Sequence, residues 1–177
     1  MIGSDGHAAA DDGLPRSADA VIIGGGVNGL SAAFQLAKRG LRDVVVIERR
    51  TLGAGATGKS GALVRCHYAN VPEAVLTHHA QRVFRNWDEE VGHGDPGYEA
   101  VGFLQVVPPE HADNLRTNVA AHRAAGIDAR VVDRAELVEI EPLLRTDDLD
   151  IAAFEPGSGY ADPNATLYGF AGAAERL

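Results

Sequence analysis

Two short apolar runs, with a helical pattern between them, dominate the first third of the chain. Neither Ala20–Ile23 nor Val44–Ile47 contains a polar residue, which is typical of strands buried on both faces of a parallel sheet. Between them, apolar residues recur at helical spacing over residues 30–37, and Gly40 stands where a helix would end. The pattern therefore predicts a strand–helix–strand unit with two parallel strands.

The remainder of the chain alternates helical and strand-like patterns without a third apolar run of the parallel-sheet kind. Two parallel strands cannot bury both faces of a sheet. We therefore expect an α/β fold that is incomplete in this chain: a Rossmann-like βαβ unit with an inserted α+β segment. The further predicted elements are helices at residues 72–91, 112–125, 135–140 and 163–177, and strands at residues 100–107, 129–132 and 151–154.

Composition and charge exclude several classes of function. The chain has 177 residues and a net charge of −9, which disfavours binding to nucleic acid or to an anionic membrane. No apolar run approaches the roughly 20 residues of a membrane span. Cys66 is the single cysteine, so an internal disulfide and a Cys-rich metal site are excluded, and we predict a reducing, cytoplasmic location. Residues 1–17 lack periodicity and predict a disordered tail. The sequence leads us to assign no metal ligands.

A glycine pattern directly follows the first apolar run. Gly24, Gly26 and Gly29 stand in G-x-G-x-x-G order, and Glu48 follows the second run. In dinucleotide-binding folds the first glycine permits a tight turn, the second lets a pyrophosphate approach the backbone, and the third lets the helix pack closely on the sheet. The helix N-terminus holds the phosphates, and an acid at the position of Glu48 accepts hydrogen bonds from a ribose. These residues predict a dinucleotide site.

Three alternatives fit parts of the same sequence. Glu48 would serve the ribose of NAD equally well, so an NAD(P)-dependent dehydrogenase is the first alternative. Residues 53–60 match G-x-x-x-x-G-K-S, the P-loop of nucleotidases, but the preceding strand ends five residues early and Gly61 begins a poor helix. A P-loop nucleotidase is therefore a weaker alternative. The third is a non-catalytic protein that keeps the sequence but cannot hold a cofactor.

Three blocks of sequence resemble one enzyme family. Residues 20–48 carry the glycine motif and its acid. Residues 53–68 include Ala-Thr-Gly-Lys-Ser-Gly and then Leu-Val-Arg, and residues 154–163 read Phe-Glu-Pro-Gly-Ser-Gly-Tyr-Ala-Asp-Pro. In this order and spacing, the blocks resemble the FAD-dependent oxidoreductases of the D-amino-acid oxidase superfamily, especially the branch of sarcosine oxidase, glycine oxidase and dimethylglycine dehydrogenase. The resemblance covers residues 18–177.

The resemblance implies a longer, two-domain enzyme of which this chain is the N-terminal portion. Residues 18–96 would be the first part of an FAD-binding domain, residues 97–150 a segment of the substrate domain, and residues 151–177 a return to the FAD-binding domain. The implied cofactor is FAD, and the implied substrate is a small amine or amino acid. The implied reaction transfers a hydride from the carbon beside an amine nitrogen to the flavin.

The resemblance also assigns individual residues, although it identifies no catalytic residue within the chain. Arg65 matches an arginine that pairs with the substrate carboxylate. Some relatives carry a basic residue near the flavin where this chain has Ala62, so their oxidase chemistry is not implied in full. Cys66 is expected to be a packed thiol. The implied cofactor-binding residues are Gly24, Gly26, Val27, Asn28 and Gly29 at the pyrophosphate, Glu48 at the ribose, Arg49 at the adenosine, and Ser60, Gly61 and Leu63 near the phosphate arm and ring of the flavin.

Overall fold

The predicted βαβ unit forms at the start of the computed structural model, which describes residues 15–177. Strands β1 (Ala20–Ile23) and β2 (Val44–Ile47) are parallel and pair in register, so that Ala20 lies opposite Val44. Helix α1 (Val27–Lys38) connects them. The predicted tail at residues 1–17 lies outside the described residues except for its last three.

Helix α1 packs against the last helix of the chain, α6 (Pro163–Glu175). The carboxylate of Asp162 caps α6 by accepting hydrogen bonds from the backbone N–H groups of Asn164 and Ala165, both at 2.8 Å, as expected of an N-cap aspartate. Together with residues 87–91, the two helices enclose an aromatic and aliphatic core. Its buried members are Leu30, Phe34, Trp87, Val91, Leu167, Phe170 and Ala173.

The prediction that β1 is buried on both faces is wrong. Val21 is 56% exposed and Ile23 is 88% exposed, because their side chains point away from α1. Within residues 15–177, β1 pairs with β2 alone. A strand composed only of apolar residues is typical of a sheet that is covered on both faces. In residues 15–177, only one face of β1 is covered.

A second sheet contains three antiparallel strands in the order β4-β6-β5. They are β4 (Phe103–Val106), β5 (Arg130–Asp133) and β6 (Ile151–Glu155). Helices α4 (Ala112–Ala124) and α5 (Arg134–Ile140) pack against this sheet. Hydrogen bonds therefore join β6 to the predicted substrate-domain segment at residues 97–150, and the boundary at residue 151 stays a prediction.

The long helix predicted over residues 72–91 is divided in two. Helix α2 (Val71–Arg85) ends before Asn86, and α3 (Trp87–Glu90) follows it. Asn86 leaves the helical region with φ −123° and ψ 40°, and its side-chain amide donates to the carbonyl of Arg82 at 2.9 Å. None of the helices within the described part of the chain is long and apolar enough to cross a bilayer.

A short antiparallel ribbon pairs the segment that follows β2 with the segment that follows β6. Strands β3 (Leu63–Val64) and β7 (Gly159–Tyr160) form it. Because β3 follows the loop after β2 and β7 follows β6, the ribbon brings the second and third resembling blocks side by side. The same ribbon carries Arg65 towards β4.

Candidate functional site

The glycine turn after β1 has the geometry that its sequence predicts. Gly24 adopts φ +111°, a conformation that favours glycine. A Cβ added to Gly29 would lie 2.0 Å from the carbonyl oxygen of Gly24, so α1 could not begin this close to β1 with a larger residue. A Cβ on Gly26 would lie 3.0 Å from the hydroxyl oxygen of Thr57. Thr57 was not predicted, and its position gives Gly26 a second reason to be glycine.

The N-terminus of α1 presents backbone donors to the space beside this turn. Val27 N–H donates to Thr57 Oγ1 at 3.0 Å. Within residues 15–177, the N–H groups of Gly26, Asn28 and Gly29 donate no hydrogen bond to the backbone. No acidic residue occupies the first turn of α1. Free donors at the positive end of a helix dipole fit a phosphate group.

Glu48 braces the glycine turn from the end of β2. Its carboxylate accepts hydrogen bonds from Gly25 N–H at 2.9 Å and from Arg50 N–H at 3.0 Å. These two bonds, the one from Gly25 first, lower the pKa of Glu48. A carboxylate can accept further hydrogen bonds, so these contacts leave it able to bind a ribose hydroxyl. Arg49 is exposed beside it.

The loop that matches the P-loop pattern lacks the helix that this motif requires. Thr57–Lys59 forms a 3₁₀ turn, and the short strand β3 follows it. Gly58 is tightly packed, since an added Cβ would lie 2.5 Å from the carbonyl oxygen of Gly53. Gly53 has φ +73° and contacts Leu167 of α6. These glycines fold the loop compactly against α6, whereas no atom lies within 4 Å of a Cβ added to Gly61.

The loop, the start of α1 and helix α2 enclose a cleft of about 360 Å³. Five predicted site residues line it: Val27, Asn28, Ser60, Leu63 and Arg65. The sequence analysis missed other lining residues, among them Thr57, Tyr68, Thr77, Phe84 and Thr166. Gly24, Gly26, Gly29, Glu48, Arg49 and Gly61 do not line the cleft; the first four form the turn beside it. The hydroxyl of Thr166 is buried and has no hydrogen-bond partner within residues 15–177.

Arg65 stands at the far end of the cleft and is held on both sides. Its guanidinium carbon lies 4.6 Å from the centre of the Tyr68 ring and 5.1 Å from that of Phe103. Its Nη1 donates to the carbonyl oxygen of His67. Cation–π contacts of this kind orient a guanidinium while leaving other N–H donors free.

Cys66 is buried, as expected of a packed thiol. Burial, reinforced by the nearby Glu155 carboxylate, raises the pKa of the thiol to about 12. The thiol is therefore protonated at neutral pH and is not a nucleophile.

Comparison with known proteins places the chain in one family. The family described as FAD dependent oxidoreductase matches residues 19–177. The chain is 28% identical over 165 residues to the mitochondrial dimethylglycine dehydrogenase of Rattus norvegicus, with 90% of this chain and 19% of that protein covered. It is 30% identical over 162 residues to the mitochondrial sarcosine dehydrogenase of Homo sapiens, with 91% and 18% covered.

A solved structure supports the same relation. The crystal structure of L-proline dehydrogenase from P. horikoshii matches with a TM-score of 0.84 and 29% identity, covering 92% of this chain and 43% of that chain. Of the dimethylglycine and sarcosine dehydrogenases, this chain spans about a fifth of the length. The predicted family, its cofactor FAD and the predicted α/β fold are confirmed. On the match over residues 19–177, the chain belongs to the FAD-dependent oxidoreductase family.

Proposed function

We propose that this chain forms the cofactor-binding and part of the substrate-binding region of an enzyme that oxidises the C–N bond of an amine or amino acid. The observation that carries the proposal is that one cleft is lined both by the start of α1 and by Arg65. Relatives named for dimethylglycine and sarcosine dehydrogenases support a small substrate of the sarcosine or glycine type.

The glycine turn would bind the phosphate groups of FAD. The N–H groups of Gly26, Asn28 and Gly29 supply donors, and the absence of a Cβ at Gly26 leaves the backbone open. Glu48 would accept a hydrogen bond from the ribose while it keeps Gly25 in place. When bound, FAD supplies the hydride-accepting chemistry that amino-acid side chains lack.

Arg65 would bind the carboxylate of the substrate. The cleft wall between it and α1 is mainly apolar, with Leu63, Val64 and Phe84 among its residues. A guanidinium can form two parallel hydrogen bonds with a carboxylate, which fixes the position of the substrate's α-carbon. Held by Tyr68 and Phe103, Arg65 would lose little conformational entropy on binding.

The alternatives receive less support from the site. An NAD(P)-dependent dehydrogenase does not need the loop at residues 53–61, yet Ala56, Thr57 and Ser60 of this loop line the cleft beside α1. A P-loop nucleotidase needs a helix that begins at Lys59 and Ser60, whereas this segment is a 3₁₀ turn followed by a strand. A cytoplasmic location stays a prediction based on the single cysteine.

The experiment compares Arg65→Lys with the wild type in the full-length protein, using sarcosine and dimethylamine as substrates and an artificial electron acceptor. Lysine keeps the charge but loses the two-pronged geometry. We expect unchanged FAD content and a loss of roughly 2–5 kcal/mol of transition-state binding for sarcosine, or about 30- to 5000-fold in kcat/KM. Dimethylamine has no carboxylate, so its turnover should fall far less.

Arg116→Lys is the matched control, since Arg116 is an exposed residue of α4 and its replacement should leave both substrates unaffected. Equal losses for sarcosine and dimethylamine in Arg65→Lys would show that Arg65 has a structural role and that the carboxylate is bound elsewhere.

A further inference from the structure

Three polar side chains from distant parts of the sequence meet in the interior of the chain. His67 follows β3, His122 lies near the end of α4, and Glu155 ends β6. All three are buried. One potential ligand atom from each lies within 4.8 Å of the others, and the two imidazole rings pack edge to face with centroids 4.9 Å apart. The cluster therefore joins three separate elements at one point.

Each member of the cluster has one buried atom without a hydrogen-bond partner. Within residues 15–177 there are four such side-chain atoms, and three of them are His67 Nδ1, His122 Nδ1 and Glu155 Oε1. Buried polar atoms are nearly always hydrogen-bonded. His67 Nδ1 and Glu155 Oε1 are 3.9 Å apart, which is too far for a hydrogen bond. The presence of three such unpartnered atoms in one cluster indicates a shared ligand.

The other nitrogen of each imidazole is held by a neighbour. His122 Nε2 lies 2.8 Å from the carbonyl oxygen of Tyr68. Because a carbonyl only accepts, Nε2 carries the proton, and the buried Nδ1 carries an unpartnered lone pair. His67 Nε2 lies 3.2 Å from the side-chain amide of Asn118, whose oxygen and nitrogen are interchangeable by rotation. Histidines that bind metals are oriented in this way by an outer hydrogen bond.

The second oxygen of Glu155 is also fixed. Glu155 Oε2 accepts hydrogen bonds from the backbone N–H of Cys66 at 2.9 Å and from the hydroxyl of Ser158 at 2.8 Å. Oε1 remains free in the same buried position. A buried carboxylate is costly unless a positive charge balances it, and within residues 15–177 no Lys or Arg side chain forms an ion pair with Glu155.

We propose that His67 Nδ1, His122 Nδ1 and Glu155 Oε1 bind a divalent transition-metal ion, with Zn²⁺ as the preferred ion. Two imidazoles and one carboxylate form a common ligand set for zinc. A water molecule would complete four-coordination. The bound charge would balance Glu155 and give each of the three free atoms a partner.

The geometry requires a contraction of the cluster, whose three ligand atoms lie within 4.8 Å of one another. Metal–ligand bonds of about 2.0–2.1 Å place tetrahedral ligands roughly 3.3 Å apart. His67 Nδ1 and Glu155 Oε1 are 3.9 Å apart, so that this pair would approach by roughly half an ångström. The widest pair would approach by up to about 1.5 Å, and rotation of the side chains would supply these shifts.

The ion would have a structural role beside the proposed substrate site. The carbonyl oxygen of His67 accepts a hydrogen bond from Arg65, so that a metal on His67 would also fix the residue that orients Arg65. The ion would cross-link the segment after β3 to α4 and β6. It does not line the cleft, and the inference does not depend on the proposed reaction.

Metal content of the full-length protein is the direct test. The protein is treated with a chelator, given Zn²⁺, desalted and analysed for zinc by mass spectrometry, with FAD content measured in parallel. We expect about one zinc per chain in the wild type. His122→Ala and Glu155→Gln should weaken zinc binding by more than about 100-fold, because even outer-shell changes cost 10- to 100-fold. His79→Ala is the matched control, since His79 is exposed on α2, and it should keep its zinc.

A second measurement needs no variant and therefore does not depend on variant folding. Because a ligand that binds only the folded state stabilises it, the melting temperature of the wild type should fall by several degrees in chelator and recover on addition of Zn²⁺. Substoichiometric zinc in the wild type together with an unchanged melting temperature would overturn the proposal. Equal zinc loss in His79→Ala and His122→Ala would also overturn it.

Discussion

In the proposed site, the carboxylate of Glu48 both holds the glycine turn and accepts a hydrogen bond from the ribose of FAD. Substitution of Glu48 tests this proposal. Glu48→Gln keeps an acceptor oxygen for Gly25 N–H but loses the charge that strengthens hydrogen bonds to the backbone and to a ribose. We expect the Kd of FAD to rise roughly tenfold at neutral pH. Glu110→Gln, a change at an exposed position, is the control. An FAD affinity equal to that of the wild type would exclude Glu48 from the ribose site.

The difference in FAD affinity between the wild type and Glu48→Gln should depend on pH, because Glu48 can be protonated. Its pKa is lowered from 4.5 by hydrogen bonds from Gly25 and Arg50, so the stabilising contribution is present above pH 4.5 and is lost as the pH falls through the lower folded value. The difference in FAD affinity between wild type and Glu48→Gln should therefore be constant near neutral pH and shrink below pH 4.5. A difference that grows on acidification would contradict this sign.

Individual residues differ in how far the sequence reveals them. The role of Gly29 follows from local geometry, because the motif itself places it against the turn. His67, His122 and Glu155 could not be predicted together, because they are 55 and 33 residues apart in sequence and only the packing of α4 on β6 brings them into contact. Thr57 was missed for a related reason: its partner, the N–H of Val27, lies 30 residues away.

At the scale of elements, the start of α1 carries the cofactor proposal, and a double variant tests it. In Gly26→Ala the new methyl group would meet both Thr57, at 3.0 Å, and a bound pyrophosphate. We expect FAD binding to weaken by about 10- to 100-fold, since overpacking costs roughly 1–3 kcal/mol. Thr57→Ala removes only the internal contact. FAD binding should stay weak in the Gly26→Ala/Thr57→Ala double variant; its recovery there would show that Gly26 serves the protein's own packing alone.

The junction between β1 and α1 should also limit stability. A Cβ at Gly29 would lie 2.0 Å from backbone oxygen, which cannot move independently of the turn. We expect Gly29→Ala to lower the free energy of unfolding by about 3 kcal/mol, the upper end of overpacking costs, and to lower the melting temperature. Gly55→Ala is the matched control, because nothing lies within 4 Å of its added Cβ, and it should change stability by less than about 0.5 kcal/mol. Equal effects would refute this account of the junction.

Most elements follow from the sequence because their signals are local. The periodicity of α1, the Asp162 cap of α6 and the glycine after α4 each determine where a helix begins or ends. The break at Asn86 was not predicted, because residues on both sides of it keep a helical apolar pattern. The burial of β1 was predicted wrongly for a different reason. The apolar composition of a strand indicates that it belongs in a sheet covered on both faces, but it does not show whether residues 15–177 contain the elements that cover it.

For the molecule as a whole, the exposed apolar residues predict how the isolated chain behaves. Ile23, Leu63 and Leu143 are large apolar side chains with most of their surface in water, and strand edges of β1 and β2 are unpaired within residues 15–177. Such surfaces favour aggregation. We expect residues 1–177, expressed alone, to bind FAD weakly and to unfold without a sharp transition in calorimetry. Cooperative unfolding with one equivalent of bound FAD would contradict this expectation.

The absorption spectrum of the purified full-length protein shows directly whether FAD is bound. In the proposed site, one FAD molecule contacts the glycine turn, the N–H groups of α1 and the cleft that leads to Arg65. We predict a flavin absorption band near 450 nm (about the wavelength of any oxidised flavin) that bleaches when a sarcosine-type substrate is added without oxygen. A folded protein that shows no such band, even after incubation with FAD, would contradict the account.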